Sequence, residues 1–262
     1  MALRPTKRDL NTLTPRREPL NTPALPSRPT NNPRRLSAGR IVLLVVIVAL
    51  GAFFLGRQDW GNSSLNSTND VNGSGVAATQ TRTLPPFTRI DLAGGSAVTV
   101  HVGAKQAVVV RADDNLINHI ETDVQDGALV VSERGNFATD LPLSVEVTVP
   151  NLERTRLIGS GMISVEGVHA RTFTAEVPGS GTLTISGTVD QLDATLAGSG
   201  DMQLGHLAAR SVTASVLGSG RLEVQAIQTL DASVSGSGAI VYSGHPTTLE
   251  QSVSGSGAIR SR

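Results

Sequence analysis

The tripeptide Gly-Ser-Gly occurs six times in the second half of this 262-residue chain and constrains the fold more than any other feature. Successive copies begin 20, 19, 20, 18 and 19 residues apart. A period of about 20 residues is typical of repeat proteins in which each repeat stacks on the one before it. The copies lie at 159–161, 179–181, 198–200, 218–220, 236–238 and 255–257.

Apolar residues recur at alternate positions on both sides of each tripeptide, which predicts two β-strands per repeat. In an antiparallel meander each tripeptide is a hairpin turn, and the apolar face of the sheet needs a second layer to cover it. In a parallel β-solenoid each repeat is one coil, and equivalent residues stack about 4.8 Å apart. Six identical corners favour the solenoid, because each corner then packs against its own copy. An all-β fold with coils of about nineteen residues is therefore predicted.

Alanine occupies the middle of the apolar trio that precedes four of the tripeptides. The trios are Phe173/Ala175/Val177, Leu192/Ala194/Leu196, Val212/Ala214/Val216 and Leu230/Ala232/Val234. Large side chains at every inward position would overfill so narrow a coil, so alternation of large and small residues fits it. In the last repeat Gln251 replaces the alanine, which predicts that the stack ends there in contact with water.

The N-terminal part of the chain differs from the rest in composition and charge. Residues 1–40 hold seven of the thirteen prolines and a net charge of +7, whereas residues 81–262 carry −6. Residues 1–40 are expected to form a disordered basic arm, and the apolar run 41–56 a short transmembrane helix that anchors the chain. The Asn-, Ser- and Gly-rich stretch 57–83 is expected to be a flexible linker. The head domain is then 84–262.

The charge of the arm predicts the orientation of this single span. Positive residues stay on the cytoplasmic side, which places the N-terminus in the cytoplasm and the head in the periplasm or outside the cell. A cleaved signal peptide is the alternative. The long basic region and the absence of a small-x-small pattern at 53–57 favour an uncleaved anchor in the inner membrane.

Between Leu84 and Pro150 the chain is predicted to form short strands with one helical turn. Asp113, Asp114 and Asn115 are placed to cap that turn, which runs through Ile117. The strands are expected near 98–102, 108–110, 120–124, 129–132 and 145–149.

The stretches FTRIDLAGGSAVTVHVG, VVVRADDNLINHIETDVQDGALVVSE and LSVEVTVPNLERTRLIGSG, followed by the repeated tripeptides, cover about two thirds of the chain. In this combination they resemble the auto-transporter adhesin head family, the GIN domain, a domain of unknown function. The resemblance implies a right-handed parallel β-helix on a bacterial envelope protein. It brings no catalytic residues to this chain.

No motif indicates catalytic, cofactor or metal chemistry, and none of these is expected. Gly-Ser-Gly lacks the third glycine and the following helix of a dinucleotide-binding loop, so it is interpreted as a corner in which glycine supplies positive φ. The chain has no cysteine, and its five histidines occupy non-equivalent repeat positions. An acidic head also argues against nucleic acid as a partner.

Polar residues alternate with the inward residues and predict a flat, weakly acidic face. The candidate binding strip on it consists of Glu176, Asp193, Thr195, Asp231 and Ser233. Simple solvation of the face is the first interpretation, and binding of carbohydrate or protein is the second. Glycosidase chemistry would need two carboxylates about 5 to 10 Å apart.

These features favour a non-enzymatic, membrane-anchored bacterial envelope protein whose head acts in adhesion or binding. Its expected partners are the membrane, at 41–56, and an envelope protein or carbohydrate. The first alternative is a transmembrane sensor or scaffold whose basic arm meets a cytoplasmic partner or anionic lipid. The second is an enzyme that acts on polysaccharide. The sequence specifies neither the ligand nor the oligomeric state.

Overall fold

The described part of the chain is built from β-strands. A computed structural model describes residues 71–262, so the predicted arm at 1–40, the anchor at 41–56 and the linker up to residue 70 lie outside the described residues. No helix within 71–262 is long and apolar enough to cross a membrane. The strands are β1 (Val71–Asn72), β2 (Ala77–Arg82), β3 (Arg89–Gly94), β4 (Ala97–Val102), β5 (Ala107–Asp113), β6 (Ile120–Gln125), β7 (Ala128–Glu133), β8 (Phe137–Ala138), β9 (Ser144–Val149), β10 (Arg154–Gly159), β11 (Met162–Val177), β12 (Thr182–Gly198), β13 (Asp201–Gly218), β14 (Arg221–Gly236), β15 (Ala239–Ser243), β16 (Thr248–Gly255) and β17 (Ala258–Ser261).

The repeats form a parallel β-solenoid of about five turns, as the sequence predicts. Strands β11 to β14 each start after one tripeptide and end at the next, and each pairs in parallel with its neighbours. The meander alternative is therefore wrong. The two strands predicted per repeat are one continuous strand that bends midway, where the register shifts, for example between Val165 and Val168.

The interior of the solenoid is filled by the predicted ladders of apolar side chains. Ala175, Ala194, Ala214 and Ala232 pair in register across adjacent strands, and each is at most 1% exposed. Gln251 pairs with Ala232 and is exposed, which confirms that the alanine ladder ends at β16. The small alanines leave room for the larger residues on either side of them in each coil.

The Gly-Ser-Gly tripeptides form one column of corners, as predicted. The carbonyl oxygen of Gly218 accepts hydrogen bonds from the backbone N–H groups of Ser237 at 3.0 Å and Gly238 at 2.9 Å. Gly236 has a φ of +125°, and a Cβ atom there would lie 2.5 Å from the same oxygen. Stacked corners approach so closely that any side chain at this position would push two coils apart.

A further corner, which was not predicted, lies at Gly94, Gly95 and Ser96. Strand β3 pairs with β10, and β4 pairs with β11, so β3 and β4 form the coil that precedes the repeats. Strands β7 and β9 pair with the far edges of β3 and β4, although they come later in the chain. At the corner between β3 and β4, the Glu133 carboxylate accepts hydrogen bonds from Gly95 N–H at 3.2 Å and from the Ser96 hydroxyl.

Antiparallel strands close this end of the solenoid. Strand β6 pairs with β7, β5 pairs with β9, and β2 pairs with β5 on its other edge. The prediction of a flexible linker at 57–83 is therefore wrong over 71–82, where β1 and β2 pair with other strands. The threonines of the segment AATQTR favour a strand at a sheet edge, and the Asn-, Ser- and Gly-rich residues before it obscured that signal.

Three consecutive polar residues hold the segment just before β2. The carboxylate of Asp113 accepts a hydrogen bond from Gly75 N–H at 2.8 Å, and Asn115 donates to the Asn72 carbonyl at 2.8 Å. Asp114 accepts a hydrogen bond from the Ser74 hydroxyl. The predicted turn exists, since Ile117 N–H donates to the Asp113 carbonyl at 2.9 Å. The prediction that these side chains cap it was wrong, because they bind the neighbouring segment instead.

Candidate binding surfaces

The residues of the predicted strip lie together on the outer face of the strands that precede the corners. Strand pairing places Glu176 beside Thr195, with Ser215 and Ser233 on the next two strands. Asp193, Thr213 and Asp231 form the adjacent column. The pleat directs both columns outward, because their neighbours in each strand are the buried inward residues.

The strip is a flat surface of hydroxyl groups with carboxylates at intervals. Asp193 and Asp231 are separated by the strand that carries Thr213, which puts their backbones about 9.6 Å apart at the usual strand spacing. Both are exposed. Ser233 donates a hydrogen bond to Ser215 along the column, at 3.2 Å. Such a surface offers hydrogen bonds to sugar hydroxyls or to a basic partner.

Glu176, at one end of the strip, belongs to a buried cluster of charges that was not predicted. The Arg156 side chain is 3% exposed and lies between Asp91 and Glu176, with its Nε atom 3.5 Å from a Glu176 oxygen. Arg154 donates from Nη2 to both oxygens of Asp91, at 3.0 and 2.9 Å. The free carboxylates of the strip are therefore Asp193 and Asp231.

The second surface lies on the opposite bend of the coil, where the long strands turn without a break. Three adjoining cavities of about 310, 540 and 420 Å³ follow one another there. The first two share Arg89 and Glu153, and the second and third share His169, Ala170 and Arg171. We call this continuous depression the bend trough. None of the five strip residues lines it.

Positive charge dominates the bend trough. Its lining includes the arginines 89, 154, 171 and 210, against the carboxylates of Glu153 and Asp190. Arg154 is bound to Asp91, and Arg210 lies 3.5 Å from Asp190. The guanidinium groups of Arg89 and Arg171 have no hydrogen bond or ion pair within the part of the chain that the structure describes. Two unpaired cations therefore face one cavity.

The histidines of the head lie apart from one another. The Nδ1 atom of His169 is 2.8 Å from the Thr188 hydroxyl, and that of His101 is 3.4 Å from a Glu166 oxygen. Across residues 71–262 no group of three or more potential metal ligands is present.

Solved structures share the fold. A "putative adhesin" from Bacteroides fragilis is 21% identical, with a TM-score of 0.63 over 73% of this chain and 100% of that chain. A "putative lipid binding protein" from Parabacteroides distasonis is also 21% identical, with a TM-score of 0.50 over 74% of this chain and 99% of that chain. No curated protein matches the chain.

A family model matches residues 86–246 and is described as "Putative auto-transporter adhesin, head GIN domain". The match includes the coil formed by β3 and β4, the antiparallel strands β5 and β6, and five of the six Gly-Ser-Gly tripeptides. It agrees with the resemblance seen in the sequence. The chain therefore belongs to the auto-transporter adhesin head family, the GIN domain.

Proposed function

We propose that this chain is a non-enzymatic bacterial envelope protein whose β-solenoid head acts in adhesion or binding at the cell envelope. The observation that carries the proposal is the strip, where hydroxyl groups recur on each of the strands β11 to β14 and carboxylates on β11, β12 and β14. A polymer or a second protein surface can match such a regular array of hydrogen-bonding groups. Membership of an adhesin-head family supports the same function.

In this proposal residues 41–56 anchor the protein in the inner membrane. The +7 charge of residues 1–40 keeps the N-terminus in the cytoplasm, so the head lies in the periplasm or outside the cell. Membership of the adhesin-head family implies that the coils are right-handed.

The absence of cysteine from the chain makes the orientation simple to test. A single cysteine at Ser219, an exposed corner position, is expected to react with a membrane-impermeant maleimide in intact cells or spheroplasts. A single cysteine at Ser37 is expected to react only after the cells are lysed. The reverse pattern would contradict the proposed orientation.

Adhesion is tested by displaying the full-length chain on cells and measuring their attachment to envelope material and host matrices. The variant Asp193→Asn/Asp231→Asn removes the free carboxylates of the strip and is expected to lower attachment. Asp140→Asn/Glu166→Gln removes two charges elsewhere on the head and is the matched control. Equal attachment by all three proteins would contradict a role for the strip, and no attachment by the wild type would contradict adhesion.

The sensor or scaffold alternative rests on the basic arm. Deletion of residues 1–35 separates the two functions, because an adhesin needs only its anchor and head. A changed phenotype with normal membrane localisation would favour signalling. The enzyme alternative predicts glycan turnover by the full-length chain that Asp193→Asn or Asp231→Asn abolishes.

A further inference from the structure

We propose that the bend trough binds a linear acidic polysaccharide, whose carboxylate or phosphate groups are held by Arg89 and Arg171. This inference rests on the proposed function, in which the head binds at the envelope, and it names a ligand class and a second site. These two arginines are free to bind an anion. Both line the same cavity of about 540 Å³, and neither is neutralised by a carboxylate within residues 71–262.

The charge around the trough is opposite to that of the head as a whole. Residues 81–262 carry −6, yet four of their twelve basic side chains line this one depression. Against them stand the carboxylates of Glu153 and Asp190 in the lining and that of Asp91, which binds Arg154. An isolated positive region on an acidic surface attracts anions there and repels them elsewhere. Guanidinium groups also match the planar geometry of carboxylate and phosphate oxygens, and such charge-assisted hydrogen bonds are the strong ones.

The shape of the trough indicates a polymer. Its lining runs from Arg89 in β3 to Ile227 in β14, which is five coil spacings, or about 24 Å at the usual strand spacing. The cavities open to the surface along this length and join through His169, Ala170 and Arg171. A single small anion would occupy only the part beside Arg89 and Arg171. A chain molecule can follow the whole depression.

The uncharged lining suits sugar rings. Asn151, Thr172 and Thr174 offer hydrogen-bond donors and acceptors beside the two free arginines. Farther along, Ala170, Val189 and Ala208 provide small apolar surfaces against which the C–H faces of a ring can pack. The cavities are open to the surface, which gives no enclosed space for an acyl chain.

The inference is tested by biolayer interferometry with the purified full-length chain. The probes are alginate, which carries carboxylates, and phosphomannan, which carries phosphates. Neutral dextran and vesicles of phosphatidylglycerol complete the set. Wild-type protein is expected to bind alginate or phosphomannan, and the stronger of the two identifies the charged group. Binding to dextran is expected to be absent.

Arg89→Gln/Arg171→Gln is expected to weaken polysaccharide binding by at least about tenfold, since it removes two charge-assisted contacts. Lys105→Gln/Arg260→Gln makes the same change in net charge with two cations outside the trough, and it is expected to bind like the wild type. If the double variant fails to fold, the single variant Arg171→Gln replaces it in the binding measurement. Arg171 is exposed, so its substitution is not expected to disturb the fold.

Three results would overturn the inference. They are equal weakening in both double variants, no binding of either acidic polysaccharide by the wild type, and binding of phosphatidylglycerol vesicles in place of polysaccharide. Whole-cell attachment distinguishes failure of this inference from failure of the proposed function. If the Arg89→Gln/Arg171→Gln protein still mediates attachment as the wild type does, the head is an adhesin and the trough is not its glycan site.

Discussion

Substitution of Gly236 by alanine tests whether close stacking of the corners holds the solenoid together. Two separate costs apply at this position. The φ of +125° is a conformation that alanine rarely adopts, and a Cβ atom would lie 2.5 Å from the carbonyl oxygen of Gly218 in the coil before. Relief of that overlap requires the two coils to separate at the corner. Such separation would stretch the hydrogen bonds that the Gly218 oxygen accepts from Ser237 and Gly238.

The magnitude follows from these contacts. Backbone strain at an unfavourable φ costs about 1 to 3 kcal/mol, and each weakened hydrogen bond costs about 0.5 to 1.5 kcal/mol. Alanine also restricts the unfolded chain, which offsets about 0.4 to 1 kcal/mol. The free energy of unfolding of Gly236→Ala is therefore expected to fall by about 3 kcal/mol. This loss is large beside a typical domain stability of about 5 to 15 kcal/mol.

Three other glycines separate the two costs. Gly103 has the same φ of +125°, but a Cβ atom there would have no neighbour within 4 Å, so its alanine variant shows the backbone strain alone. Gly238 has no positive φ but would place a Cβ 2.6 Å from both the Gly220 oxygen and Val216 Cγ1, so it shows the stacking contact alone. Gly205 has neither constraint, and its nearest neighbour would be a Glu223 oxygen at 3.8 Å.

Urea denaturation of the four full-length variants, followed by circular dichroism, measures the effect. We expect Gly205→Ala to be neutral or more stable by up to about 1 kcal/mol, Gly103→Ala to lose about 1 to 2 kcal/mol, and Gly236→Ala to lose the most. If Gly236→Ala and Gly103→Ala are equally stable, stacking of the corners adds nothing and the reasoning is refuted. A neutral Gly238→Ala would refute it independently.

Ala214→Leu is expected to lose about 1 to 3 kcal/mol of stability through overpacking of the alanine ladder. Gln251→Leu, at the exposed end of that ladder, is expected to be neutral. Equal melting temperatures of the two variants would contradict the register of strand pairing that places Ala214 in the interior. The hydroxyl of Thr139 lowers the pKa of Asp113 below its ordinary value of 3.8, and a backbone N–H bond acts in the same direction. That carboxylate therefore stabilises the fold fully above pH 3.8 and loses its contribution as the pH falls through the lower folded-state pKa. Asp113→Asn should be less stable than the wild type at pH 7 and equal to it in strong acid. Urea denaturation of both proteins over a range of pH measures the difference. Arg156→Leu removes the buried cation that lies 3.5 Å from the Glu176 carboxylate, whereas Asp91 keeps its ion pair with Arg154. The substitution is expected to cost about 3 kcal/mol of stability. A measured loss below about 1 kcal/mol, the value typical of exposed pairs, would show that the Arg156–Glu176 pair behaves as an exposed one in solution.

The inward ladders could be predicted from the sequence because they repeat. Ala194 and Ala214 stand at the same position before their tripeptides. In a stack of coils such equivalent positions lie directly above one another, so a repeated residue type predicts a ladder in the interior. Alternation along each strand also placed the five strip residues on one face. The pairing of Glu176 with Arg156 could not be predicted, because Arg156 lies before the first full repeat. None of the later repeats carries an arginine at the equivalent position, which Glu176 is the first to occupy.

The parts that escaped prediction depend on contacts between distant segments. Strand β7 pairs with the outer edge of β3, although more than thirty residues separate the two strands in the chain. Nothing in the local sequence of β7 predicts this pairing. Likewise, Arg89 and Arg171 belong to different coils and stand at different repeat positions. Only the fold brings both to one cavity.

The two bends of the coil differ in what stacking permits. At the corner column every coil touches the next through glycine backbone, so a substitution such as Gly236→Ala disturbs two coils and the sequence there is nearly fixed at Gly-Ser-Gly. At the opposite bend the strands shift register, and the side chains point into open space. Because these side chains are not held between stacked coils, neighbouring coils can carry different residues there, such as Arg171, Asp190 and Arg210. Surfaces at which the repeats are free to differ can be adapted to a ligand without disturbing the stacking of the coils. In this head the repeats differ on the strip and in the bend trough, which are the two surfaces proposed to bind. A ligand specificity that followed the corner serines instead would contradict both proposals.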